Sequence, residues 1–157
     1  MKYYSTRDVN KESFDAAYVI KKGLAGDGGL FVPESIPEIS KDEIIELCEK
    51  SYPERAAFIL SKFLTDYTYD ELLSDCKDAY CEDSFPGGAA PLEKINDNIF
   101  SLELWHGPTA AFKDMALQIM PDSFRELSLR PEKKTPRLFL LRRREIRAKP
   151  RLRDTRI

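Results

Sequence analysis

Trp105-His106-Gly107-Pro108-Thr109-Ala110-Ala111-Phe112-Lys113-Asp114 sets one lysine behind a Gly-Pro turn at the mouth of an apolar segment. Directly before it, Ile99-Phe100-Ser101-Leu102-Glu103-Leu104 alternates apolar and polar residues and predicts a strand. Directly after it, Met115, Ala116, Leu117, Ile119 and Met120 predict a largely buried helix. A lysine at such a strand-to-helix junction stands close to free backbone N–H groups and the positive end of the helix dipole. Partial burial and that positive potential both favour the neutral amine, the nucleophile that makes Schiff bases. Spacing alone fits an exposed first-turn lysine better than a catalytic one, so the junction by itself does not identify an enzyme.

Upstream of the strand, Pro91-Leu92-Glu93-Lys94-Ile95 and the turn Asn96-Asp97-Asn98 complete a predicted hairpin that leads into the lysine loop. Ser84-Phe85-Pro86-Gly87-Gly88 is the best internal boundary. Three capping boxes, Ser40-x-x-Glu43, Ser51-x-x-Glu54 and Thr68-x-x-Glu71, open three helices. Their stripes Ile44/Ile45/Cys48, Ala57/Ile59/Leu60/Phe63 and Leu72/Leu73/Cys76/Tyr80 read as core, and the acidic residues between them as a solvated face. Nearer the start, residues 3–7 predict a strand, and Phe14, Ala17, Tyr18 and Val19 recur at helical spacing up to a stop at Gly23. Residues 26–37 read as a Gly- and Pro-rich loop whose Leu30-Phe31-Val32 packs inward.

The chain has 157 residues, 42% of them hydrophobic, enough for one ordinary domain with a core. Its net charge of −2 hides an asymmetry. Residues 1–121 carry 12 basic and 22 acidic residues, whereas residues 122–157 carry 13 and 5. A break of this kind ordinarily marks a basic arm for nucleic acid or membrane. Cys48, Cys76 and Cys81 are odd in number and lack C-x-x-C spacing, which fits free thiols in a reducing compartment rather than disulfides or a zinc site. His106 is the only histidine, so neither a His-based triad nor a multi-histidine metal site is expected; a structural hydrogen bond is its simplest use. No signal-peptide pattern and no apolar run of membrane-spanning length is present, so the expected location is cytoplasmic, with no membrane partner.

His106-Gly107-Pro108-Thr109-Ala110-Ala111-Phe112-Lys113-Asp114, followed by Met115-Ala116-Leu117-Gln118, resembles the cofactor-lysine motif of threonine synthase. Tyr3-Tyr4-Ser5-Thr6-Arg7, and then Gly23-Leu24-Ala25-Gly26-Asp27-Gly28-Gly29-Leu30-Phe31-Val32-Pro33-Glu34, is similar to the N-terminal signature of the same family. Two separated motifs in the right order are far more specific than one. The resemblance covers residues 1–121. It implies an α/β fold: a helical N-terminal region with a few strands over residues 1–86, and over 87–121 the start of a pyridoxal-phosphate α/β domain of the tryptophan synthase β kind, truncated. It further implies conversion of O-phospho-L-homoserine and water to L-threonine and phosphate, with pyridoxal 5'-phosphate as cofactor and Lys113 as both the cofactor-binding and the catalytic residue. In such enzymes the cofactor is the electron sink, and the lysine freed by substrate moves protons. No metal is implied, and the oligomeric state is left open.

From residue 122 the text loses any sustained period and cannot supply the parallel sheet that the resemblance requires next. Read one base out of register, with allowed synonymous codons, Arg143-Arg144-Glu145-Ile146-Arg147-Ala148-Lys149 becomes Ser-Gly-Asp-Thr-Gly-Lys, the loop the family should carry there. Over residues 138–157 the same shift yields a buried strand, a Gly-rich turn and an Ala-rich helix. A one-base deletion near codons 121–122 therefore accounts together for the charge break, the arginine surplus and the short length. Residues 122–157 are then expected to be an out-of-frame, disordered basic tail, and the chain as written to be inactive. The competing reading is a non-catalytic N-terminal module with an arginine-rich nucleic-acid-binding arm, although the tail lacks interleaved aromatics.

Overall fold

The computed structural model describes residues 1–120; the expectations for the segment from 122 onward lie outside the described residues. Among the described residues nine short elements follow one another: β1 (Tyr3–Ser5), α1 (Ala16–Lys22), β2 (Phe31–Pro33), α2 (Lys41–Cys48), α3 (Tyr52–Phe63), α4 (Tyr69–Ala79), β3 (Leu92–Lys94), β4 (Phe100–Leu102) and α5 (Asp114–Leu117). Two antiparallel ribbons result, β1 with β2 and β3 with β4, with helices between them in sequence. The architecture is the mixed, partial α/β arrangement expected from the sequence.

The capping boxes form as read. Ser40 and Thr68 each accept a hydrogen bond from the backbone N–H three residues on, and the Glu43 and Glu71 carboxylates return it. At Ser51 the Glu54 carboxylate accepts from both the backbone N–H and the hydroxyl. Such reciprocal bonds satisfy donors that a helix start leaves open. α3 and α4 pack together around Ala57, Tyr67, Leu72 and Cys76, with Leu60, Leu64, Tyr80 and Ile119 against them. Burial there pushes the Cys76 thiol up to about 12, so it stays protonated and behaves as a small hydrophobe. A second cluster joins Tyr3, Ala16 and Val19 to Phe14 and Phe31.

Three readings of the sequence are corrected. The α2 stripe is not core: Ile44 and Ile45 are exposed, and α2 buries no residue. Amphipathic spacing shows that a helix has an apolar face, not that a neighbour covers it. Residues 31–33, read as loop, are strand β2, because β1 offers them a backbone ladder with Tyr3 opposite Pro33, Tyr4 opposite Val32 and Ser5 opposite Phe31. Of the run expected to pack inward, only Phe31 does so; Leu30 and Val32 are exposed.

The two halves of the N-terminal signature meet in space. The Ser5 hydroxyl donates to both Asp27 carboxylate oxygens at 2.8 Å, the Gly29 N–H donates to Asp27 Oδ1 at 2.8 Å, and the Arg7 N–H donates to Ser5 Oγ at 3.2 Å. Gly28 turns the chain at φ +77, in the left-handed region that suits glycine. Gly29 has no room for a side chain: a Cβ would press on Ser5 Oγ and stand 3.0 Å from the Arg7 nitrogen. These bonds hold the Asp27 carboxyl below the usual range, the Gly29 N–H first and the Ser5 hydroxyl next. The signature is thus a structural lock.

Candidate functional site

The lysine loop runs from the end of β4 to the start of α5. The hairpin ahead of it forms as read, with Leu92 opposite Leu102 and Lys94 opposite Phe100. Lys94 also reaches Asp97 in the turn at 2.9 Å. Leu92, Ile95, Ile99, Phe100 and Leu102 are all exposed, so the ribbon carries an apolar surface that no described element covers.

Beyond the ribbon, His106 works as a clasp. Its Nε2 lies 2.7 Å from Glu103 Oε2 and its Nδ1 3.3 Å from the Pro86 carbonyl, with the Trp105 ring stacked 5.9 Å away. Acceptors at both ring nitrogens favour the imidazolium and raise its pKa, the Glu103 carboxylate most. This is the structural role expected of the only histidine. It ties the lysine loop to residues 84–88, where Phe85 is buried against the Tyr80 ring.

Residues 107–114 then close on themselves. The Ala110 N–H donates to the Gly107 carbonyl at 3.0 Å, and the Asp114 N–H to that of Ala111 at 3.0 Å. Asp114, with no exposed surface, accepts from the Thr109 N–H and from the Thr109 hydroxyl, each at 2.8 Å. Sequence reasoning assigned neither residue a role. The signal available was an acidic residue set at the head of an otherwise apolar run, where burial demands partners.

Lys113 caps α5 with helical backbone angles. Its side chain is exposed and its Nζ lies 4.5 Å from the centroid of the Phe112 ring. The partial burial expected for it does not form among the described residues. α5 is a four-residue turn whose Leu117 is exposed, and of its residues only Asp114 is buried. A helix this short lends little dipole, so the potential argument for a neutral amine carries no weight here. Beside the lysine lies an open depression of about 430 Å³ lined by Leu104, Phe112, Lys113, Met115, Ala116 and Leu117. The geometry presents one amine at the rim of an apolar recess. No metal-holding cluster of His, Cys, Asp or Glu occurs among the described residues. No described helix is long and apolar enough to cross a membrane.

Residues 2–80 match the family described as threonine synthase N terminus. The chain is 36% identical over 124 residues to threonine synthase of Pseudomonas aeruginosa, covering 76% of this chain and 25% of that protein. Its structure superposes on pyridoxal-phosphate-bound threonine synthase from Brucella melitensis with a TM-score of 0.73 at 35% identity, covering 81% of this chain and 27% of the other. Yeast threonine synthase gives the same TM-score at 31% identity, covering 85% and 28%. The chain spans about a quarter of the length of the curated relatives it matches.

Proposed function

The chain belongs to the threonine synthase family, and on that premise we propose that it is the N-terminal part of a pyridoxal-phosphate-dependent threonine synthase in which Lys113 holds the cofactor. The observation that carries this reading is the placement of Lys113 at the rim of an apolar recess, at the end of a loop fixed by Asp114 and Thr109. When bound, the cofactor supplies an electron sink for chemistry at the substrate's amino-acid carbons. The residues present fit its aldehyde end: an exposed amine without an ion partner among the described residues, beside the flat Phe112 ring and the Leu104 side chain. Lys113 would hold the cofactor covalently and, once released, hold or move a proton at Nζ. Phe112 and Leu104 would keep water from one side.

In this proposal residues 1–86 form the N-terminal domain and 87–121 open the cofactor domain. The substrate is O-phospho-L-homoserine, and the setting is cytoplasmic, a reading that free thiols support. Cys48, Cys76 and Cys81 are all free thiols in the structure. Residues 122–157 are an out-of-frame tail, so the chain as written does not turn over. Turnover needs phosphate anchoring, tuning of the cofactor ring and exclusion of water, and each supplies a substantial part of the barrier reduction.

Resequencing the gene across codons 115–130 tests the frame. An unbroken frame that matches the printed tail, with no alternate-frame Ser-Gly-Asp-Thr-Gly, overturns the frameshift. Restoring the frame should bring cofactor absorbance and threonine formation together, and Lys113→Ala in the restored protein should abolish both. Cofactor absorbance that survives Lys113→Ala means Lys113 is the wrong lysine.

A further inference from the structure

Resting on Lys113 as the cofactor lysine, we propose that Asp114 and Thr109 form a clamp that sets where Lys113 presents its amine, which makes both of them positioning residues. The lysine side chain has no hydrogen bond or ion pair among the described residues; its Nζ merely rests over the neighbouring Phe112 ring. A four-carbon stem of this kind explores many rotamers, so the direction of the amine depends on how firmly the backbone beneath it is held.

That backbone is held from one side by Asp114. Both of its carboxylate oxygens are spent on the same residue, one on the Thr109 N–H and one on the Thr109 hydroxyl. A fully buried carboxylate is costly to keep unless charge-assisted bonds compensate it, and here two do. The loop is built to let the carboxylate in. Gly107 lies so close that a Cβ there would stand 2.5 Å from Asp114 Oδ2 and 2.8 Å from its Cγ. Ala110, between the two clamped ends, sits at φ +54, a left-handed conformation that a non-glycine residue keeps only when its surroundings enforce it. Glycine, strained alanine, threonine and buried aspartate together close a ring whose last backbone position before Asp114 is Lys113.

The clamp differs from a general stabilising contact in what it controls: the selectivity of Lys113, not the survival of the fold. The core around Leu72 and Cys76 is built from α3 and α4, and the ring residues 107–114 are not among those packed against it.

The test treats the full 157-residue chain with pyridoxal phosphate, reduces the adduct with borohydride, and maps the labelled lysines by mass spectrometry. In the wild-type chain, Lys113 should label in preference to exposed Lys11 and Lys41. Asp114→Asn should cut Lys113 labelling about tenfold, through loss of a charge-assisted pair. Labelling of Lys11 and Lys41 and the far-ultraviolet circular dichroism should not change. Gly107→Ala, which forces the ring open with the charge intact, should give the same loss. Thr109→Val should also lose label, and Thr109→Ser, which keeps the hydroxyl, should restore it. If Asp114→Asn and Gly107→Ala label Lys113 as the wild type does, the clamp is wrong and the cofactor lysine stands. If the wild-type chain shows no preference for Lys113, the clamp does not direct its amine and the proposal fails, whereas the cofactor-lysine reading is decided separately by Lys113→Ala in the restored protein.

Discussion

The Tyr80 phenol, at the C-terminal end of α4, donates a 2.8 Å hydrogen bond to the Met115 carbonyl in α5. This bond ties the helical N-terminal region to the turn that carries Lys113. Tyr80 is also wedged edge-on against Tyr52, at 5.0 Å, and tilted against Phe85, at 5.7 Å. Burial pushes its phenol well above the ordinary value, so it remains a donor at any physiological pH.

Tyr80→Phe should leave the Met115 carbonyl without this donor and lower stability by about 1 kcal/mol. Hydrogen exchange should show the loss locally, with faster exchange of the α5 amides and little change in α2. Unchanged exchange in α5 would mean that packing of the Tyr80 ring, not its hydroxyl, holds the two parts together.

At the N-terminal lock, Gly29→Ala should destabilise by about 1–3 kcal/mol, because the added methyl collides with Ser5 Oγ, which its bonds to Asp27 and the Arg7 N–H hold in place, and crowds the Arg7 nitrogen and Asp27 Oδ1 at 3.0 Å. Gly26→Ala, where nothing lies within 4 Å, is the control and should stay within about 0.5 kcal/mol. Urea titration of both variants checks the difference.

The Lys62 ammonium reaches the Glu43 carboxylate at 2.8 Å and links α3 to the otherwise exposed α2. Lys62 and the Ser40 backbone and hydroxyl hold the Glu43 carboxyl at about 2, below its ordinary 4.5. A depressed carboxyl stabilises the fold above its unfolded value, and that contribution is lost as pH falls from 4.5 toward 2. Protection of α2 amides should therefore decline across this window, and Glu43→Gln should remove the pH dependence.

His106 has the opposite sign. Its pKa is raised above the ordinary 6.5 by the Glu103 carboxylate first and the Pro86 carbonyl next among the favourable contacts. The clasp is then fully present below 6.5 and is lost as pH rises through the higher folded value. Exchange of the Gly87 and Gly88 amides should quicken with pH beyond the ordinary base-catalysed rise. In His106→Gln that excess should vanish.

Local chemistry was legible because it depends on neighbours in sequence. Ser40, Ser51 and Thr68 announced their helices through a glutamate three residues on, since an N-cap is completed within one turn. The turn Asn96-Asp97-Asn98 announced the hairpin for the same reason. Lys113 could be singled out only through resemblance of the motif around it. Its exposure was not legible, because burial depends on what other segments cover.

What the sequence determined by itself is therefore the order of elements, the caps, the turn and the two motifs that identify the family. Only the tertiary structure decided which apolar faces find a partner. Leu72 is buried and Ile45 exposed although both sit in helical stripes, because α3 lies against α4 whereas no described element covers that side of α2. It likewise decided that Ser5 meets Asp27, 22 residues away, and that Asp114 turns back onto Thr109. A hydrogen bond needs its partners within about 3 Å, and chain folding alone brings distant residues to that range.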